Sequence, residues 1–330
     1  MSVGLRRLLG VSLLGILLYG GVVAFSGYRQ IQAVLSAFHW SGFAVALALA
    51  SSNYALRFAK WQYYLKRLGI VHVPRAHSAL VFLSGFVLTI TPGKLGEVFK
   101  SAVLFRTHGV PIDRTAPIVL AERLTDVMAI VLLVVVGSLG FRGGSYWAAS
   151  GAGAVALVLL FVLWEPPARW LIRVMAGRPR LARLAPSFSR AYDSLRIVAS
   201  PSALAWPVLL STVGWGLEGL ALHRLLQGFD QNPVWAFSLF FYATSTLAGA
   251  LIPVPGGLGV TEAMIHEQLV HVGGTPEPVA TACMILIRLA TLWWAVIVGF
   301  AALGLLRVMF PRELGPPAGS ELSGSSGARS

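Results

Sequence analysis

Pro255-Gly256-Gly257-Leu258-Gly259-Val260-Thr261-Glu262 breaks an apolar region, 235–270, and Thr91-Pro92-Gly93-Lys94-Leu95-Gly96-Glu97 breaks another, 78–105, in the same manner. Proline lacks the amide hydrogen a helix interior needs, and glycine frees the backbone, so together they stop a helix. Each region is therefore predicted to form a hairpin of two short helices rather than one span. After a two-residue insertion in the second stretch, the same acidic residue follows the same glycine. The match continues without a gap: 26 positions separate Glu97 from Arg123, and Glu262 from Arg288. Each arginine precedes a leucine, Leu124 or Leu289, and opens a long apolar helix. Paired anchors at equal separation point to an internal duplication.

The surrounding composition says what solvent these hairpins meet. Of 330 residues, 56% are hydrophobic and only 12% are charged, beyond what a soluble domain of this size needs for its core. Apolar runs at 8–25, 41–65, 115–139, 146–164, 203–226 and 278–306 approach or exceed the roughly 20 residues that cross a hydrocarbon slab about 30 Å thick. The fold class expected is an all-α polytopic membrane bundle. The first run follows Arg6-Arg7 and ends at Ala24-Phe25-Ser26 like a signal peptide. It is longer than a usual signal core, and no soluble domain follows, so an uncleaved first helix is expected. Cys283, the single cysteine, lies in an apolar run and reads as a small core residue.

The net charge of +13 does not indicate nucleic acid, because the basic residues are neither interleaved with aromatics nor gathered in one soluble domain. They sort by side of the membrane instead. With a cytoplasmic N-terminus and hairpins that return to their starting side, the cytoplasm receives Arg6, Arg7, the group Arg57, Lys60, Lys66, Arg67 and Arg75, then Arg106 and Arg114. It also receives the arginines of the 165–200 linker and Arg307, Arg312 and Arg329, leaving Arg29, Arg142 and Arg224 outside. That asymmetry satisfies the positive-inside rule for a bacterial inner membrane with both termini cytoplasmic. The linker reads equally as an amphipathic surface helix or a solvated basic loop. The tail 313–330, rich in Gly, Ser and Pro, reads as disordered.

Halves at 1–140 and 141–312 each contain span, span, hairpin, span. Three crossings is an odd number, so the second half is expected upside down relative to the first. The hairpins then enter from opposite faces, an arrangement common in secondary transporters.

Inside these apolar segments lie Lys94, Glu97, Lys100, Glu122, Arg123, Asp126, Glu262 and Arg288. A charge at the bilayer centre costs about 2.5–3.5 kcal/mol on insertion scales, so these side chains are expected to face inward and pair. Lys94, Glu97 and Lys100 share a stripe at every third residue, as do Arg123 and Asp126, while Glu122 and Asp126 are four apart. Glu97 with Arg123 and Glu262 with Arg288 read either as static ties from hairpin to span or as a gate. Helices starting after the Pro-Gly breaks offer free N–H groups to an anion. Gly93, Gly96, Gly256, Gly257 and Gly259 serve either close packing or close ligand approach.

Other chemistry finds no support. Gly93-Lys94 lacks the glycine spacing of a phosphate-binding loop, and Gly257-Leu258-Gly259 lacks the strand and third glycine of a dinucleotide site. His266 and His271, five apart, lie on different helical faces, so no zinc-protease signature exists. No metal, cofactor or catalytic set is expected.

Through Thr91–Glu97, Ala121-Glu122-Arg123-Leu124-Thr125-Asp126, the 253–259 turn and Arg288-Leu289, the chain resembles the lysylphosphatidylglycerol synthase transmembrane-domain family, from its first helix to about Arg312. The resemblance implies translocation of a lipid between leaflets, be it aminoacylated, glycosylated or polyprenyl-phosphate-linked. It also puts Glu97, Glu122, Arg123, Asp126, Glu262 and Arg288 at the family's motif positions. Lys94 stands where relatives often carry arginine, keeping charge but losing the bidentate fork. About 18 residues follow Arg312, too few for the family's synthetase domain, so lysyl transfer by this chain alone is not expected. A separately encoded lipid-biosynthetic enzyme is the expected partner beside the lipid itself. The rival readings are a lipid-modifying membrane enzyme or subunit, and a scaffold recruiting one.

Overall fold

Leu, Ala and Val dominate the long apolar runs, and with no water to serve exposed amides in lipid, such runs satisfy their backbone as helices. The computed structural model describes residues 28–89, 98–138, 185–252 and 254–314, with isolated positions 21, 153, 170 and 174. Helices and turns make up these described residues, with no strand among them, as the all-α expectation requires. In chain order they are α1 (Tyr28–Ser36), α2 (Ser41–Arg67), α3 (Arg75–Ser84, continued by a 3-10 turn at Gly85–Leu88), α4 (Phe99–His108), α5 (Ile112–Ser138), α6 (Ala185–Val198) and α7 (Pro201–Gly228). There follow α8 (Trp235–Leu251), α9 (Val260–Glu267, continued by a π turn at Gln268–Val272), α10 (Glu277–Arg288), α11 (Trp294–Met309) and α12 (Pro311–Leu314).

Several expectations lie outside the described residues: the spans at 8–25 and 146–164, most of the 165–200 linker, and the first hairpin turn with Pro92, Gly93, Lys94, Gly96 and Glu97. The described end of the linker, α6, is a helix. Its exposed Arg190 donates to Asp113 at the start of α5 at 2.7 Å. Glu313 and Leu314, counted with the tail from the sequence, close the short helix α12.

α10 and α11 are one continuous helix, Glu277–Met309, joined through a π turn at Leu289–Trp293. Among the described residues it alone is long and apolar enough to cross a membrane by itself. α2 and α5, at 27 residues each, are long enough but carry ions, of which Lys60, Glu122 and Asp126 are buried inside the bundle. α8, at 17 residues, is about 25 Å long, short of the hydrocarbon thickness of about 30 Å. α9 packs back against α8 beyond the break.

α2 lies along α7, and α5 packs on both α7 and α8. Two apolar clusters result, one holding Leu133, Leu225, Phe241 and Ile287, the other Trp61, Phe82, Leu104 and Ile118. Where α5 passes from one cluster to the other, it carries Glu122 and Asp126. Where the 277–309 helix does so, it carries Arg288 and Thr291. Asn53 and Lys60 of α2, with Ser211 and Glu218 of α7, complete this buried polar belt near the middle of the long helices.

The end of α3 docks tightly on the last helix. A β-carbon at Gly299 of α11 would fall 2.5 Å from the Val87 amide nitrogen and 2.9 Å from the Phe86 carbonyl carbon, both rigid backbone. Gly299→Ala is therefore expected to destabilise the fold by about 1–3 kcal/mol through overpacking, read as a lower melting temperature in detergent. Gly304→Ala, whose new methyl group would meet nothing within 4 Å, is the control that leaves the melting temperature in place.

Candidate functional site

The belt is built from three groups of side chains. In the first, the Lys60 ammonium, 1% exposed, donates to Asp126 Oδ1 at 2.7 Å, Ser211 Oγ at 2.8 Å and Thr125 Oγ1 at 3.2 Å. Ser211 donates to the same carboxylate oxygen at 2.9 Å, and Arg123 Nη2 lies 3.1 Å from Asp126 Oδ2. Three helices, α2, α5 and α7, are thereby tied through one aspartate.

In the second group, Lys100 of α4 pairs with Glu122 of α5, and its ammonium sits 4.6 Å from the centre of the Trp61 ring and 5.3 Å from that of Phe82. A cation over aromatic faces in a dry site keeps part of the stabilisation lost with its water. The third group surrounds Glu218 of α7. Asn53 Nδ2 donates to its Oε1 at 2.5 Å, and the Tyr242 hydroxyl of α8 donates to its Oε2.

The second Pro-Gly turn abuts this belt. Gly256, Gly257 and Gly259 have φ of +61°, +69° and +84°, left-handed values that a side chain disfavours, so the turn needs glycine for its path. A β-carbon at Gly257 would fall 3.3–3.4 Å from the α8 backbone at Gly249, so the turn packs closely on α8. Arg288 holds the turn from outside: its Nε donates to Glu262 Oε1 at 2.6 Å and its Nη2 to the Gly256 carbonyl at 3.0 Å. The π turn follows Arg288 directly and leaves the Thr291 carbonyl to accept the Tyr54 hydroxyl at 2.9 Å; wide turns of this kind recur at functional sites.

Beside the turn opens a cleft of about 610 Å³, counting the space open at its mouth, with Arg57, Arg288, Glu218, Tyr54 and Tyr242 in its wall. A second cleft of about 550 Å³, again counting the space open at its mouth, is lined by Arg123 and Asp126 and adjoins it. Trp215, Thr246, Gly249, Gly256 and Gly257 belong to both walls. Three guanidinium groups thus line two adjoining hollows, amid aromatic and hydroxyl side chains. Guanidinium is the side chain best shaped for bidentate contact with a phosphate or carboxylate.

The expected pair Glu262–Arg288 is present, as is the approach of Arg123 to Asp126. Glu97 lies outside the described residues, so its pairing with Arg123 does too. Lys100, expected to face inward and pair, engages Glu122, while Lys94 and Glu97, with which it was read to share a stripe, lie outside the described residues. Arg57 and Lys60 correct the sequence reading: counted with the cytoplasmic charges, they stand inside the bundle, Arg57 on the cleft and Lys60 in the belt. Asn53, Ser211, Glu218 and Tyr242 were missed altogether. Glu218 had a visible signal, since it is a lone acid within the apolar run 203–226.

The family model described as the lysylphosphatidylglycerol synthase TM region matches residues 12–299. A UPF0104 membrane protein of Methanocaldococcus jannaschii is 23% identical over 224 residues, covering 65% of this chain and 91% of that protein. A UPF0104 membrane protein of Methanothermobacter thermautotrophicus is 21% identical over 303 residues, covering 87% and 90%.

Proposed function

The chain belongs to the lysylphosphatidylglycerol synthase TM-region family, a family of membrane proteins, and from that premise we propose that it moves an anionic lipid between leaflets. The observation that carries the reading is the pair of adjoining clefts lined by Arg57, Arg123 and Arg288 at the second Pro-Gly turn. Arginine side chains inside a membrane bundle have a strong reason to be retained when a phosphate passes them. In a site sheltered from water, their attraction for that phosphate is stronger than at a surface. The headgroup enters the clefts while the acyl chains stay in lipid.

The duplicated motif supports a pair of inverted halves that alternate access to this site, with the hairpins re-entering the membrane from opposite faces. α8 and α9, each too short to cross and joined by a glycine turn, fit such a re-entrant hairpin. The remaining cytoplasmic arginines support a cytoplasmic-membrane location with both termini inside. A separately encoded lipid-biosynthetic enzyme would supply the lipid on one side.

Reconstitution tests the reading. In vesicles holding a fluorescent anionic phospholipid, a membrane-impermeant reductant bleaches only the outer leaflet. The purified protein is expected to expose the inner-leaflet fraction that stays protected in protein-free vesicles. Folded, reconstituted protein that leaves every anionic lipid class protected overturns the proposal.

A further inference from the structure

Glu218 is the buried carboxylate of the arginine-lined cleft, and the two groups that bind it are neutral. Asn53 supplies an amide N–H to one oxygen and Tyr242 a hydroxyl to the other. Those bonds fix the carboxylate's orientation without cancelling its charge. A carboxylate has about four acceptor positions, so two remain after Asn53 and Tyr242. Glu218 stands in the same wall as Arg57 and Arg288.

A phosphate drawn to those guanidinium groups meets a negative charge within the same hollow. A headgroup that ends at the phosphate gains nothing from Glu218 and is repelled by it. A headgroup with an O–H or N–H donor beyond the phosphate turns the same carboxylate into a charge-assisted hydrogen-bond acceptor. A polar group buried in a site built for a donor penalises a ligand lacking one far more than an apolar pocket penalises a missing methylene.

We infer that Glu218 is a specificity-determining residue that selects lipids whose phosphate carries a donor-bearing headgroup, hydroxyl or ammonium, over lipids whose phosphate ends in an alkyl cap. This rests on the transport reading above. The chemistry shared by the two headgroup types is hydrogen-bond donation, and the experiment separates them.

Full-length protein is reconstituted with three fluorescent lipids of identical acyl chains: phosphatidylmethanol, which has the phosphate charge and no donor; phosphatidylglycerol, with the same charge and two hydroxyls; and phosphatidylethanolamine, with an ammonium. At least one donor-bearing lipid is expected to move about ten- to a hundredfold faster than phosphatidylmethanol, the range of one hydrogen bond to a charged group. A preference for phosphatidylglycerol alone identifies hydroxyl as the donor, and one for phosphatidylethanolamine alone identifies ammonium. Glu218→Gln, which keeps the shape and removes the charge, is expected to shrink the preference to within about threefold. Equal rates for all three lipids in the unaltered protein, or an undiminished preference in folded Glu218→Gln, overturn the inference.

If Glu218→Gln does not fold, Tyr242→Phe takes its place. It releases one carboxylate oxygen to the ligand, so the preference is expected to hold or widen, and a narrowed preference counts against Glu218. If no lipid is moved at all, the transport reading has failed, and binding of the same lipids by the purified protein, read by native mass spectrometry, decides on Glu218 separately. Preferential retention of a donor-bearing lipid that is lost with Glu218→Gln supports its role, and equal retention of all three overturns it.

Discussion

Asp126→Leu is expected to destabilise the bundle by about 3–5 kcal/mol, because it strands the Lys60 ammonium in the middle of the protein. Lys60 would keep only the hydroxyls of Thr125 and Ser211, which supply dipoles and no opposing charge. The double variant Lys60→Met with Asp126→Leu removes both ions and fills the space with apolar groups. Such replacements of a buried pair are often neutral or stabilising, so most of the lost stability is expected to return. Melting in detergent, with the fraction of monodisperse protein after heating as the readout, compares the two. A single variant as stable as the parent, or a double variant no better than the single, would mean that the Lys60–Asp126 bond is not what joins α2, α5 and α7.

Arg288→Lys is expected to lower lipid transport about ten- to a hundredfold, the worth of one hydrogen bond to a charged group, while the protein still folds. Arg288 spans two partners in different directions, the Glu262 carboxylate and the Gly256 carbonyl. A lysine retains the charge for Glu262, but its single ammonium lacks the planar fork that reaches both. The turn then loses its tie to α10, and the cleft loses a guanidinium from its wall. Arg288→Ala goes further and leaves Glu262, 7% exposed, without its cation, so it is expected to lose folding as well as transport. Transport in the vesicle assay beside melting in detergent separates the two variants. Parental transport by Arg288→Lys would show that the charge alone suffices and that the fork is idle.

What could be read from the chain was what local rules encode. Pro255, Gly256, Gly257 and Gly259 announced the break, because proline and left-handed glycine act within a few residues. Glu262–Arg288 was legible from its echo in Glu97–Arg123, a spacing and not a propensity. The cost of a membrane-buried ion pointed to Glu122, Arg123 and Asp126. The same cost applied to Lys60 and Glu218, yet Lys60 sits near the end of its apolar run and was counted with the cytoplasmic charges. Glu218, alone among apolar neighbours, offered no partner nearby to give it meaning. Its partners come from elsewhere: Asn53 is 165 positions away, and Ser211 is 151 from Lys60. Pairings over such distances are products of packing between α2, α5 and α7, which no local pattern states.

The wide turn at Leu289–Trp293 fixes the angular phase between the two halves of the long C-terminal helix. An α-helix advances about 100° with each residue, so accommodating one more residue in a turn rotates everything beyond it. Through that offset a single rod presents Arg288 to the arginine-lined cleft and, a few turns later, Gly299 to the backbone of Phe86 and Val87 at the end of α3. One helix thereby touches the second Pro-Gly turn at one point along its length and the end of α3 at another.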